Sequence, residues 1–410
     1  MSTPTSTAST AAQEIAQLLV TPELLPAEPG WRTQSLSKGA AGVALFHIER
    51  AHSGEGSWQT AHSWVTATAR DGVSAADDAN LLFGAPALAF VLHAAGADGT
   101  VRYGPARTGV DTSVTALTHR RVDLAHARID RGELPAFAEY DLLHGLTGLG
   151  AHLLQHATGN DALQRVLTYL VRLTQPLRAD DETLPGWWVF HDPQVKQSDA
   201  FRGGHGNFGI AHGIAGPLAL LAQARRRGVT VDGHDEALHT ISTWLDIWQQ
   251  HADSGPWWPQ WITRDQLRTG RPGRSAPMRP SWCYGTPGIA RAQQLAAIAT
   301  TDIARQQMAE HALVCCLSDP DQLSRITDIS LCHGWAGLYQ TVWRAGRDAC
   351  TPEVSVHLPA LADRLIQQCR AGLGEDIGLL EGNTGLALAL HTAARTTPPV
   401  SGWDSCLLIK

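Results

Sequence analysis

The chain has 410 residues, 43% hydrophobic and 17% charged, with a net charge of −7. That length and apolar content allow one large core, and the absence of basic blocks excludes a nucleic-acid or anionic-lipid surface as its main business. Seven cysteines, an odd number gathered in the last third, do not make a secreted disulfide framework.

The N-terminal run "MSTPTSTASTAAQEIAQLL" is polar and has no basic start followed by an apolar stretch, so no signal peptide is expected. No run of about eighteen apolar residues occurs, and no membrane span is predicted. A reducing, cytoplasmic setting is the expectation.

From Lys38 onward one frame recurs: a glycine, two residues, a second small residue, then an apolar run. It reads "SKGAAGVAL", "LFGAPALAF", "LHGLTGLGA", "AHGIAGPLAL", "CYGTPGIARA", "CHGWAGLYQ" and "EGNTGLALAL". The lead glycines are Gly39, Gly84, Gly145, Gly213, Gly285, Gly334 and Gly382; only the second copy lacks the second glycine, with Ala87 in its place. Repeats at such spacing point to a repeated supersecondary unit. Between the copies lie amphipathic patterns. Leu163, Val166, Leu167, Leu170 and Leu173 share one helical face, as do Leu238, Ile241, Leu245 and Trp248. The residues after each glycine pair are more uniformly apolar. The unit is therefore an outer helix, a turn and an inner helix, and the fold class is all-α. Small residues three apart on a helix start permit close approach of neighbouring helices. An α/α toroid of seven repeats, inner helices ringed by outer ones, fits; the alternative is an open solenoid.

The whole chain, 1–410, reads as one such domain. Residues 96–138, between the second and third repeats, fit less well. Short runs there, "TVRYG" and "SVTAL", are strand candidates, and the segment is a possible inserted β-containing subdomain.

The residues just before the lead glycines are chemically unusual. In order they are Lys38, Phe83, His144, His212, Tyr284, His333 and Glu381, and one position earlier stand Cys283 and Cys332. In a closed ring these places converge. Cys283, Cys332 and His333 then form a three-ligand zinc site with one ion per chain and an open fourth position. Spacing alone would favour two buried thiols and a core histidine; equivalence within the repeat tips the reading to metal.

The motifs "AHGIAG", "SWCYGTPG" and "CHGWAGL" make the chain resemble the lanthionine synthetase C-like family, the lanthipeptide cyclases, over nearly its whole length. The resemblance implies an α/α toroid with central zinc. The reaction it implies is addition of a peptide cysteine thiol to dehydroalanine or dehydrobutyrine, giving a (methyl)lanthionine thioether ring. Cys283, Cys332 and His333 match the family's zinc ligands, and His212, Asp141, Arg279 and Tyr284 match its active-site residues. The implied partners are a dehydrated precursor peptide, a separate dehydratase and an exporter.

Each assignment has a plainer competitor. His212 is the first choice as proton donor, because an imidazole titrates near neutral pH; His144 is the competing acid, or a hydrogen-bonded core histidine. Asp141 orients His212 or caps a helix. Arg279 holds the enolate or is a solvated loop residue, and Tyr284 is a donor or packs. Trp187, Trp188, Trp257, Trp258, Trp261, Trp282 and Trp335 line a peptide groove or plug gaps between helices. Lys38 and Glu381 are expected to pair or to be exposed. The rival functions are a prenyltransferase-like zinc enzyme, a toroid glycoside hydrolase using Asp141 and Glu381, and a non-catalytic zinc-containing peptide-binding scaffold.

Overall fold

The computed structural model describes residues 4–24, 30–179 and 181–410. Each lead glycine opens a helix. The seven inner helices are Ala40–His52, Ala85–Ala95, Leu146–His156, Ala215–Arg226, Thr286–Thr300, Trp335–Asp348 and Asn383–Arg395. They are rich in alanine and leucine and buried nearly all round, as in Ala215–Ala224, which is how a helix with no polar face must lie. Outer helices alternate with them. Asp161–Leu173 buries Leu163, Val166, Leu167, Leu170 and Leu173, and His234–Ile247 buries Leu238, Ile241 and Leu245. Asn160 caps the first of these through the Ala162 amide at 2.9 Å.

Two compact units share the helices. The first comprises residues 4–24, 30–117, 326–346 and 355–406 and holds four inner helices. In it the N-terminal helix Pro4–Leu18 packs on Asn383–Arg395 and on Leu358–Ala371, and Arg344 makes a fork of two 2.6 Å bonds to the buried Asp404. The second comprises residues 118–179, 181–325, 347–354 and 407–410 and holds the other three. There Ala215–Arg226 packs between Leu146–His156 and Thr286–Thr300. The Leu407, Leu408 and Ile409 carbonyls accept from Trp282, Gln223 and Arg291 of this unit at 3.0, 3.0 and 2.9 Å.

The glycine pairs have a more local cause than helix–helix contact. A Cβ on the second glycine would strike the carbonyl oxygen six residues earlier: Trp282 O at 1.9 Å for Gly288, Leu331 O at 1.9 Å for Gly337, Leu379 O at 2.1 Å for Gly385. A Cβ on the lead glycine would strike the amide four residues earlier, at 2.2 Å for Gly145, Gly285 and Gly334. The chain thus coils back tightly before most of the inner helices, and the glycines let it; the second repeat differs, with Ala87 in place of the second glycine and Ser74 O nearest a Cβ on Gly84. The expected neighbour contact exists too but is looser, as with Leu379 Cβ, 3.1 Å from a Cβ on Gly42.

Within each unit, successive loops are linked through their backbones. In the second, Leu142 N–H donates to Ala211 O (3.1 Å) and Ala211 N–H to Cys283 O (3.3 Å). In the first, Cys332 N–H donates to Leu380 O (2.9 Å), and Leu380 N–H to Ser37 O (3.1 Å).

The strand candidates at 100–104 and 113–117 do not form strands. Residues 113–117 lie within the long helix Gly104–Asp130, where Val114, Leu117, Thr118, Val122 and Ala125 are buried. That three-to-four spacing overrides the β-propensity of a Ser-Val-Thr run. The short strands lie elsewhere, as the antiparallel pairs Leu177–Ala179 with Glu182–Leu184, His205–Asn207 with Trp261–Thr263, and Gln250–Ala252 with Gly255–Trp257.

Candidate active site

In several of the loops before the inner helices a polar side chain stands four residues ahead of the lead glycine. There the Ser281 hydroxyl accepts the Tyr284 amide at 3.4 Å, Ser330 accepts His333 at 3.1 Å and Ser35 accepts Lys38 at 3.0 Å. Asp141 occupies the same place in the third repeat. Its Oδ1 accepts the amides of His144 (2.6 Å) and Gly145 (2.8 Å), which is the capping role. Its Oδ2 accepts the His212 Nδ1–H at 2.5 Å. Capping and orienting are therefore performed by the two oxygens of one carboxylate.

Asp141 is fully buried. Burial would raise its carboxyl, but hydrogen bonds from His144 and His212 outweigh it and hold the group well below the usual carboxylate range. His144 lies 3.5 Å from the same Oδ2, and its side chain is 53% exposed, so it is not a core histidine. The Asp141 hydrogen bond raises its ring above the ordinary value, against burial.

His212 is more enclosed. Its ring stacks on Phe137 at 5.4 Å and on His144 at 5.6 Å, with Tyr284 at 6.0 Å. Nδ1 being taken by Asp141, Nε2 is the nitrogen left to exchange a proton with a substrate. Behind Tyr284 lies Asn207. Its side-chain N–H₂ stands 3.5 Å from the Tyr284 hydroxyl, and its Oδ1 accepts Gly209 N–H at 3.0 Å. Buried His205, pushed down to about 4 by burial, packs its ring against Phe137 and Trp261.

Cys283 lies buried beside Tyr284, its thiol 3.6 Å from the Ser281 hydroxyl. Cys332 and His333 are half-buried, and His333 Nε2 lies 3.5 Å from Asp328. Every cysteine is free of disulfide. Cys283 of the second unit and Cys332 and His333 of the first are the three residues that the sequence offers as zinc ligands. Two thiols and an imidazole suit zinc, and three donors leave one tetrahedral position for another ligand. Arg279 is half-buried on the loop that carries Cys283 and Tyr284.

Trp187, Trp188, Trp257, Trp258, Trp282 and Trp335 are buried and plug the helix layers; Trp261 alone of that set is half-exposed. Lys38 and Glu381 pair at 3.3 Å. Asp328 and Asn207 were not singled out from sequence. Both stand six residues before a lead glycine, a place that only the loop geometry marks.

Comparison with known proteins follows the same lines. The family model for the lanthionine synthetase C-like protein matches residues 30–408. Nisin biosynthesis protein NisC of Lactococcus lactis subsp. lactis is 25% identical over 260 residues, which are 62% of this chain and 60% of that relative's length. The solved structure of nisin cyclase is similar with a TM-score of 0.79 at 20% identity, covering 98% of this chain and 97% of its own. That likeness shows the fold, an all-α α/α toroid.

Proposed function

Because the chain belongs to the lanthionine synthetase C-like family, we propose that it is a lanthipeptide cyclase acting on a dehydrated precursor peptide. A peptide cysteine thiol adds to dehydroalanine or dehydrobutyrine. The S–C bond forms at Cβ, the alkene pair moves onto the carbonyl oxygen as an enolate, and a proton is returned to Cα. Addition balances without a co-reactant. Zinc, held by Cys283, Cys332 and His333, acidifies a thiol when bound.

The observation that carries the reading is the 2.5 Å bond from His212 to buried, ionised Asp141. It fixes the tautomer of His212, steadies the imidazolium and leaves Nε2 as the nitrogen that hands on a proton. His144 holds the same carboxylate more loosely and is more exposed, so we assign the proton at Cα to His212. Arg279 and Tyr284, from the Cys283 loop, are assigned to the enolate oxygen and the peptide backbone. A separate dehydratase supplies the unsaturated residues, and an exporter removes the product; both belong to the same reading. Among the described residues no helix is long and apolar enough to cross a membrane.

The test is incubation of the zinc-loaded protein with a dehydrated peptide carrying one cysteine and one dehydroalanine. Alkylation and mass spectrometry then count the remaining thiols. Loss of the alkylatable thiol without change in peptide mass supports cyclisation, provided His212→Ala slows it. A thiol that stays alkylatable leaves the scaffold reading in its place.

A further inference from the structure

A cavity of about 150 Å³ is lined by Pro259, Gln260, Trp261, Gln266, Gly273 and Arg274. Its aromatic wall adjoins the site, because the Trp261 ring stands edge-on to Tyr284 at 6.1 Å. Gln266 caps the short helix Arg264–Thr269, its Oε1 accepting the Thr263 amide at 3.0 Å. That bond leaves the Nε2 amide toward Gly273, where a Cβ would come within 2.3 Å of it. Glycine at 273 is what keeps this donor edge clear.

No Asp or Glu is among the lining residues, whereas Gln260, Gln266 and Arg274, each with side-chain N–H groups, are. The segment 264–279 carries Arg264, Arg268, Arg271, Arg274 and Arg279 against the single Asp265, in a chain whose net charge is −7. Arg264 and Arg268 are engaged by Glu182 at 3.7 and 2.5 Å. Arg271 and Arg274 are exposed, and their side chains have no acidic partner among the described residues. A planar guanidinium beside amide donors matches the two oxygens of a carboxylate.

We propose that this cavity binds an acidic side chain of the peptide substrate, holding the chain while another part of it reacts. The proposal rests on the peptide-cyclase reading and adds a recognition element to it. Ring-to-ring steps of 6.1 Å and 6.0 Å lead from Trp261 through Tyr284 to His212, a distance that roughly four residues of extended peptide cover. About four extended residues between the anchored acid and the reacting residue are therefore enough to cover that path.

Fluorescence anisotropy tests this on the zinc-loaded full chain, with two fluorescein-labelled Gly/Ser peptides, one bearing three glutamates and the other three glutamines. The glutamate probe should bind about tenfold more tightly. Arg274→Glu should erase the preference, and Arg271→Glu should weaken it. Arg70→Glu, at an exposed arginine just past the helix Trp58–Thr68, should leave it intact. Equal binding of the two probes, or equal losses in Arg274→Glu and Arg70→Glu, would overturn the proposal. Binding is read without turnover. A glutamate preference with no thioether formation therefore sinks only the cyclase, and thioether formation with no preference sinks only the cavity.

Discussion

Asp141 has one oxygen more than the serines that stand at its place in other repeats. Ser35, Ser281 and Ser330 each use a single oxygen on the loop amide at the same repeat position; Asp141 does so with one oxygen and has a second for His212. Asp141→Ser should keep the loop and the fold, because serine already serves there in three other repeats. It should nevertheless lower the rate of thioether formation by roughly 10²–10⁴-fold, the range for loss of a positioned acid–base pair. Single-turnover kinetics beside a melting curve checks both halves, and a Ser variant as active as wild type would contradict the role of the second oxygen. His144 gives a pH test. Its folded value is raised by Asp141, so its contribution is complete below the unfolded value, about 6.5, and is lost as pH rises through the folded one. The Tm gap between wild type and His144→Ala should therefore be wider at about pH 6 than at about pH 9. Asp141 runs the other way. Its lowered value means that its contribution is present above about pH 3.9 and fades only in strong acid.

The loop-and-helix element was legible in the sequence because its demands are strictly local. A carbonyl six residues back and an amide four residues back crowd a Cβ in most repeats, so glycine recurs with the loop, the second repeat with Ala87 excepted. Gly337→Ala should cost about 1–3 kcal/mol or more by overpacking against Leu331 O. Gly374→Ala, with nothing within 4 Å, should be nearly neutral; denaturant unfolding of the pair checks the contrast. Outer helices were legible by their stripes, and Leu167→Ala in the buried stripe of Asp161–Leu173 should cost about 2–5 kcal/mol in the same measurement. The polar loop position was not legible, since serine, asparagine, aspartate and glycine all occupy it (Ser35, Asn80, Asp141, Gly209) and each solves the amide differently. The short strand pairs escaped because three residues are too few to show a period. The run at 113–117 misled for the same reason: its helical spacing emerges only across Val114–Ala125.

At the scale of the molecule, seven repeats of one element carry different residues to equivalent places. Repetition is what made a candidate metal site readable from cysteines far apart in sequence. The backbone links between successive loops, Leu142 to Ala211 to Cys283 in one unit and Cys332 to Leu380 to Ser37 in the other, had no residue-type signature, because any amide and carbonyl can make them. They hold the positions before the glycines in register, so the chemistry of the site follows from what the sequence places there. We propose that Cys283, Cys332 and His333 share one zinc. Its most direct test is metal content with X-ray absorption at the zinc edge, on wild type beside Cys283→Ala. One zinc per chain is expected in wild type, bound by two sulfurs, one imidazole nitrogen and a lighter exchangeable ligand, with its loss or marked weakening in the variant. No zinc in wild type, or an unchanged zinc environment in Cys283→Ala, would contradict it.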